Sequence, residues 1–143
     1  MEPAYDGDAL TPIHPLHAIF LAFPLPLFLG ALLTDLTYDA TFEVQWVNFS
    51  SWLIAGGLLF GAGAVLWALV GCLSSRSGRH GRSLVYLVVL AVMWVLGLIN
   101  AFEHGKDAYA AMPMGLYLSV IVAGLALVAA WIGYSGLPRG RAR

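Results

Sequence analysis

The stretch IHPLHAIFLAFPLPLFLGALLTD, from Ile13 to Asp35, holds no Asp, Glu, Lys or Arg before its last residue. About 20 helical residues cross a hydrocarbon core of about 30 Å, so this segment is long enough to span a membrane. Three further apolar stretches follow, Val47–Cys72, Ser83–Phe102 and Ala111–Tyr134. Across the 143 residues, 60% are hydrophobic and 10% charged, with a mean hydropathy of +0.82. A soluble domain carries about 25% charged residues, so this chain lacks the polar surface to coat a water-soluble globule. The expected fold is all-α: a single transmembrane domain over residues 1–143, built as a four-helix bundle in a lipid bilayer. That excludes a nucleic-acid reader and a soluble enzyme with a large cleft. The one cysteine, Cys72, excludes an internal disulfide scaffold.

Charge placement predicts how the chain is threaded. Arg76, Arg79 and Arg82 lie between the second and third stretches, and Arg139, Arg141 and Arg143 follow the fourth. With four spans these segments share one side with the N-terminus, so six of the seven basic residues face it. The positive-inside rule makes that side cytoplasmic, with both termini there, in a multi-pass membrane protein. The opposite side is expected to receive Asp35, Asp39 and Glu43 from the first loop and Glu103, Lys106 and Asp107 from the last. Glu2, Asp6 and Asp8 precede the first span with no Lys or Arg, unlike a signal peptide, so that span is expected to be retained.

Small residues mark helix contacts. Gly57, Gly61, Ala64, Ala68 and Gly71 form one stripe, and Gly115, Ser119, Ala123, Ala126, Ala130 and Gly133 another. Such stripes let backbones approach closely, within one bundle or across a homo-oligomer seam, and packing within the bundle is the expectation here. Tyr38, Phe42, Trp46 and Trp52 flank the start of the second span, while Trp131 and Tyr134 close the fourth, as interfacial aromatics do. Pro24 and Pro26 deprive the carbonyls of Phe20 and Ala22 of helical partners, which predicts a kink in the first span.

Polar residues at membrane depth are costly and mark function. His14 and His17 sit three apart at the start of the first span, and His80 lies in the basic loop on the same side. His104 follows the third span on the other side, with Asp107 three residues on and Asn100 four before. At 1.5 Å per residue, His17 and His104 are about 25–30 Å apart in depth, too far to ligate one haem together. A haem iron, or another metal held by imidazole, would therefore draw on His14, His17 and His80. A quinone pocket would be lined by Trp94, Asn100 and His104. His104 would pair with Asp107 or Asp35 as a proton-linked or structural polar pair. The bland alternatives are interfacial caps for His14 and His17 and an ordinary solvated loop residue for His80.

At these residues the chain resembles a known family. His14-Pro-Leu-His17 with Phe23-Pro24, running to Thr34-Asp35, is similar to the opening of a bacterial family of predicted four-helix membrane proteins, catalogued as a transmembrane domain of unknown function. Asn100-Ala-Phe-Glu-His104-Gly-Lys-Asp107, then Gly115-Leu-Tyr-Leu-Ser119 and Trp131-Ile-Gly133, resemble its later spans. Ala18 stands where many members repeat a proline, and Lys106 where many carry arginine. The resemblance implies a fold and a setting, since related domains occur fused to Rieske iron–sulfur domains or encoded beside periplasmic quinoprotein sugar dehydrogenases.

Three functions follow as expectations. The first is an inner-membrane redox subunit passing electrons through b-type haem or quinone, in company with membrane or periplasmic redox subunits. The second is a non-catalytic anchor or accessory subunit of a larger complex, which short loops and scant extramembrane mass also fit. The third is a small transporter or channel. No nucleophile–base pair and no phosphate-binding glycine loop suggests a stand-alone enzyme.

Overall fold

The computed structural model describes residues 14–74 and 80–135. These form α1 (Pro15–Ala22), α2 (Pro24–Thr41), α3 (Val44–Ser74), α4 (His80–His104), the single turn α5 (Ala108–Ala111) and α6 (Met114–Tyr134), with no strand among the described residues. Among the described residues, four spans are long and apolar enough to cross a membrane: Pro15–Thr41, Val44–Ser74, Ser83–His104 and Met114–Tyr134.

The first span is α1 and α2 joined at Phe23, directly before Pro24. Pro24 can donate no hydrogen bond to Phe20, so the helical ladder breaks where the prolines predict. Phe23 keeps right-handed helical angles, and Leu27 N–H reaches its carbonyl at 3.1 Å, so the second segment continues the path of the first. Pro15 occupies the first helical turn, where its missing N–H has no partner to lose, and His14 Nδ1 caps that turn by accepting the Leu16 N–H at 3.3 Å. At its far end α2 stops on Phe42, whose left-handed φ of 57° closes the helix with an N–H bond to the Tyr38 carbonyl at 2.7 Å.

The first span thus runs six residues past Asp35, which corrects the placement of Asp35 in a loop. The residue lies within α2 and is wholly buried. Asp39, one turn further on, is exposed.

The four spans pack in chain order around a square, first against second, second against third, third against fourth and fourth back against first. The first and third spans therefore face each other across a diagonal. They run parallel, since His17 meets Tyr86 at one end and Asp35 meets His104 at the other. Each helix buries positions spaced alternately three and four apart, the seam of a left-handed bundle. On α2 these are Pro24, Phe28, Ala31, Asp35 and Tyr38; on α3, Val47, Ser50, Ile54, Gly57, Gly61 and Ala64. On α4 they are Leu90, Met93, Gly97, Asn100 and His104, and on α6, Gly115, Ser119, Val122, Ala126 and Ala129.

Phe28, Ile54, Leu90, Met93 and Val122 fill the middle of the bundle. The small residues serve that packing. A methyl on Gly57 would lie 2.7 Å from the Phe28 ring, so only glycine lets α3 close on α2 there. The stripe on α6 likewise points inward, through Ala123, Ala126 and Ala130. Gly71, by contrast, meets nothing within 4 Å.

Candidate functional site

The polar residues of the seam converge at one level. Asp35 Oδ1 lies 2.9 Å from His104 Nε2, and neither side chain has any solvent-accessible surface. The pair bridges the diagonal between the first and third spans. The other two spans close in from the sides: Ser50 of α3 donates its hydroxyl to Asp35 Oδ1, and Ser119 of α6 donates to Oδ2 at 2.5 Å. Asn100 Nδ2 donates in turn to Ser119 Oγ at 2.9 Å, and Thr34 Oγ1 lies 2.7 Å from Ser50 Oγ. The first span thus supplies one carboxyl group, and each of the other three contributes a polar side chain to it.

Donor and acceptor chemistry fixes most of the protons. The Asn100 backbone carbonyl accepts only, so His104 Nδ1, at 3.0 Å from it, carries a hydrogen. Ser119 has a single hydroxyl hydrogen and spends it on Asp35, so Asn100 faces it with the amide nitrogen. That leaves Asn100 Oδ1 buried with no partner. The remaining proton lies between His104 Nε2 and Asp35 Oδ1, on the imidazole as an ion pair or on the carboxyl as a neutral one. The arrangement is an acid–base pair holding one exchangeable proton between two defined atoms, in a place where neither group meets water.

α6 approaches this pair with a glycine. A methyl on Gly115 would lie 2.8 Å from His104 Cε1 and 3.3 Å from Nδ1, so the ring rests against the α6 backbone.

The chain matches the family described as predicted membrane protein (DUF2231) over residues 13–136. It belongs to the DUF2231 family. None of the curated proteins and none of the solved structures matches it. The family assignment bears out the resemblance read from the two histidine motifs, and both motifs contribute to the bundle of this DUF2231 protein.

The other candidate residues are placed apart from the pair. His104 takes Asp35 and the Asn100 carbonyl, which uses both ring nitrogens, so its expected alternative partner Asp107 is not bonded to it. Asp107 is exposed, and its carbonyl accepts from Ala110 and Ala111 at the start of α5. Trp94 donates its indole N–H to the Leu58 carbonyl at 3.0 Å, so it joins α4 to α3.

His17 and Asp35 lie 18 residues apart on the first span, which puts His17 about 27 Å from the pair along the helix axis. His17 Nε2 lies 2.9 Å from the Tyr86 hydroxyl, and its ring stacks near Trp67 at a centroid distance of 6.1 Å. His14 packs on the same indole at 4.6 Å. The side chain of His80 lies outside the described residues. Among the described residues, no three His, Cys, Asp or Glu side chains are grouped so as to hold a metal ion.

Sequence reasoning missed Ser50 and Tyr86 altogether, and gave Thr34 and Ser119 no polar role, quoting them only in the family motifs and, for Ser119, in a packing stripe. The signal for two of them was present. Ser50 and Ser119 fall on the same seam as Val47 and Ile54 on one helix and Gly115 and Val122 on the other.

Proposed function

We propose that this protein is a proton-handling accessory subunit of a membrane redox complex, in which the Asp35–His104 pair takes up and returns a proton. The observation that carries this reading is the direct contact of a carboxyl and an imidazole, both fully buried, on the inward-facing seam near one end of the four-span bundle. Replacing a buried ion pair by apolar residues is often neutral or stabilising by about 1–4 kcal/mol. A pair present at such a position favours a chemical role over a purely stabilising one. The redox setting is the one that the sequence resemblance implies.

Haem fits the described residues poorly. His17 Nε2, the nitrogen through which histidine ligates haem iron, is engaged with Tyr86, while its Nδ1 is buried without a partner and the Trp67 ring lies beside it at 6.1 Å. Quinone fits no better at the expected residues, because Trp94 is turned to Leu58 while Asn100 and His104 face Ser119 and Asp35. In this reading a partner bears the electron carrier, and this chain supplies the proton-bearing group beside it. A transporter or channel role has less support, since the apolar layer of Phe28, Ile54, Leu90, Met93 and Val122 separates the pair from the His17 end.

A second reading is a structural accessory subunit, whose polar network only fixes the register of the spans. It is favoured by the contribution of a polar residue from every span. Infrared difference spectra of the protein in bilayers separate the two. A protonated-carboxyl band that grows as pH falls and is missing from Asp35→Asn supports proton handling. Identical pH-difference spectra for the two proteins leave the structural reading. Mild extraction from native membranes is expected to bring along a partner bearing a redox centre.

A further inference from the structure

We infer that Gly115 is a positioning residue for His104, holding the imidazole in line with Asp35; the inference rests on the reading of that pair as the proton-bearing site. By sequence, Gly115 belongs to a stripe of small residues on the fourth span and looks like a packing contact between helices. The geometry gives it a narrower task. A methyl there would meet three atoms of one ring, Cε1 at 2.8 Å, Nδ1 at 3.3 Å and Nε2 at 3.4 Å, and no other residue comes as close. The ring is also tethered by its two hydrogen bonds, to the Asn100 carbonyl at 3.0 Å and to Asp35 at 2.9 Å, so a shift away from α6 strains that geometry.

One helical turn further, Ser119 of the same helix grips the other oxygen of Asp35 at 2.5 Å. Gly115 and Ser119 together therefore set both halves of the pair from one helix face: the glycine sets the distance of α6 from the imidazole, and the serine orients the carboxylate. Gly124 on the same helix makes a matched control, because nothing lies within 4 Å of the methyl it would gain. Alanine favours helix over glycine at either position, so any harm from Gly115→Ala comes from the ring it meets.

The test reads His104 directly and couples the two positions. In selectively histidine-labelled protein, Gly115→Ala is expected to shift the His104 Nε2 resonance and to remove the downfield signal of the proton shared with Asp35. Gly124→Ala should leave both unchanged. If Gly115→Ala does not fold, thermal unfolding in the His104→Ala background decides, since with the ring removed the added methyl should be tolerated. Unchanged His104 resonances in folded Gly115→Ala overturn the inference. So does equal destabilisation by Gly115→Ala with and without the ring. A pair that never titrates in wild type would instead overturn the proton-handling reading, and the effect of Gly115 on the His104 signals would still stand.

Discussion

Asp35 and His104 are 69 residues apart in the chain and 2.9 Å apart in space, joined across the diagonal of the bundle. His17 and Tyr86, also 69 residues apart, make the corresponding contact at the other end. The first and third spans thus run parallel in constant register, held by a polar contact at each end and apolar packing between. Only one of the two contacts pairs an acid with a base, and it is the one on which all four spans converge.

Removing either member of the pair leaves the other buried without its charge partner. Asp35→Asn and His104→Ala are each expected to destabilise the protein by about 3–5 kcal/mol. Asp35→Asn combined with His104→Ala should cost less than the sum of the two single changes, because the double variant leaves no unpaired charge. Reversible unfolding in detergent or bicelles measures all of these. Strict additivity would mean that the two groups do not interact.

The serines should differ in a stated order. Ser50→Ala removes one donor to Asp35, whereas Ser119→Ala removes a donor and also takes the acceptor from Asn100 Nδ2. Hydrogen bonds between membrane helices average about 0.6 kcal/mol and reach about 1.7 kcal/mol. Ser119→Ala is therefore expected near the top of that range and Ser50→Ala nearer its middle. The same unfolding measurement decides the order.

Trp94 should prove separable from the site. Trp94→Phe removes the bond to the Leu58 carbonyl and is expected to lower stability by about 0.6 kcal/mol. It should leave the His104 ring resonances where they are. A shift in those resonances would tie Trp94 to the pair.

The pair is not expected to conduct protons across the bilayer. Phe28, Ile54, Leu90, Met93 and Val122, each no more than 1% exposed, fill the section between the Asp35 end and the His17 end. Liposomes carrying the protein and an internal pH dye should hold an imposed pH gradient as well as empty ones do. A leak abolished by Asp35→Asn would show a path through that layer.

The spans were legible because a bilayer demands long apolar runs, and the kink because proline lacks a donor. The histidine motifs were legible as a family signature. Asp35 was misread because a charged residue at the end of an apolar run looks like the start of a loop. What rescues it is the spacing of Pro24, Phe28, Ala31, Asp35 and Tyr38, which keeps the acid on the buried seam of a helix that continues to Thr41. The partner of His104 was harder to choose, since Asp107 is near in sequence and Asp35 is distant. Chain direction settles it, because parallel first and third spans bring their far ends together while Asp107 has already left the helix. Tyr86 carried no signal at all, since a tyrosine near a membrane boundary has an interfacial explanation of its own.

The most direct test of proton handling is the protonation of His104 Nε2, followed by nitrogen-15 spectroscopy of histidine-labelled protein in bilayers as pH is varied. The account predicts that Nδ1 stays protonated throughout, held by the Asn100 carbonyl, while Nε2 changes state with pH in wild type and follows a different course in Asp35→Asn. An Nε2 that keeps one protonation state over the whole range in which the protein remains folded would contradict it.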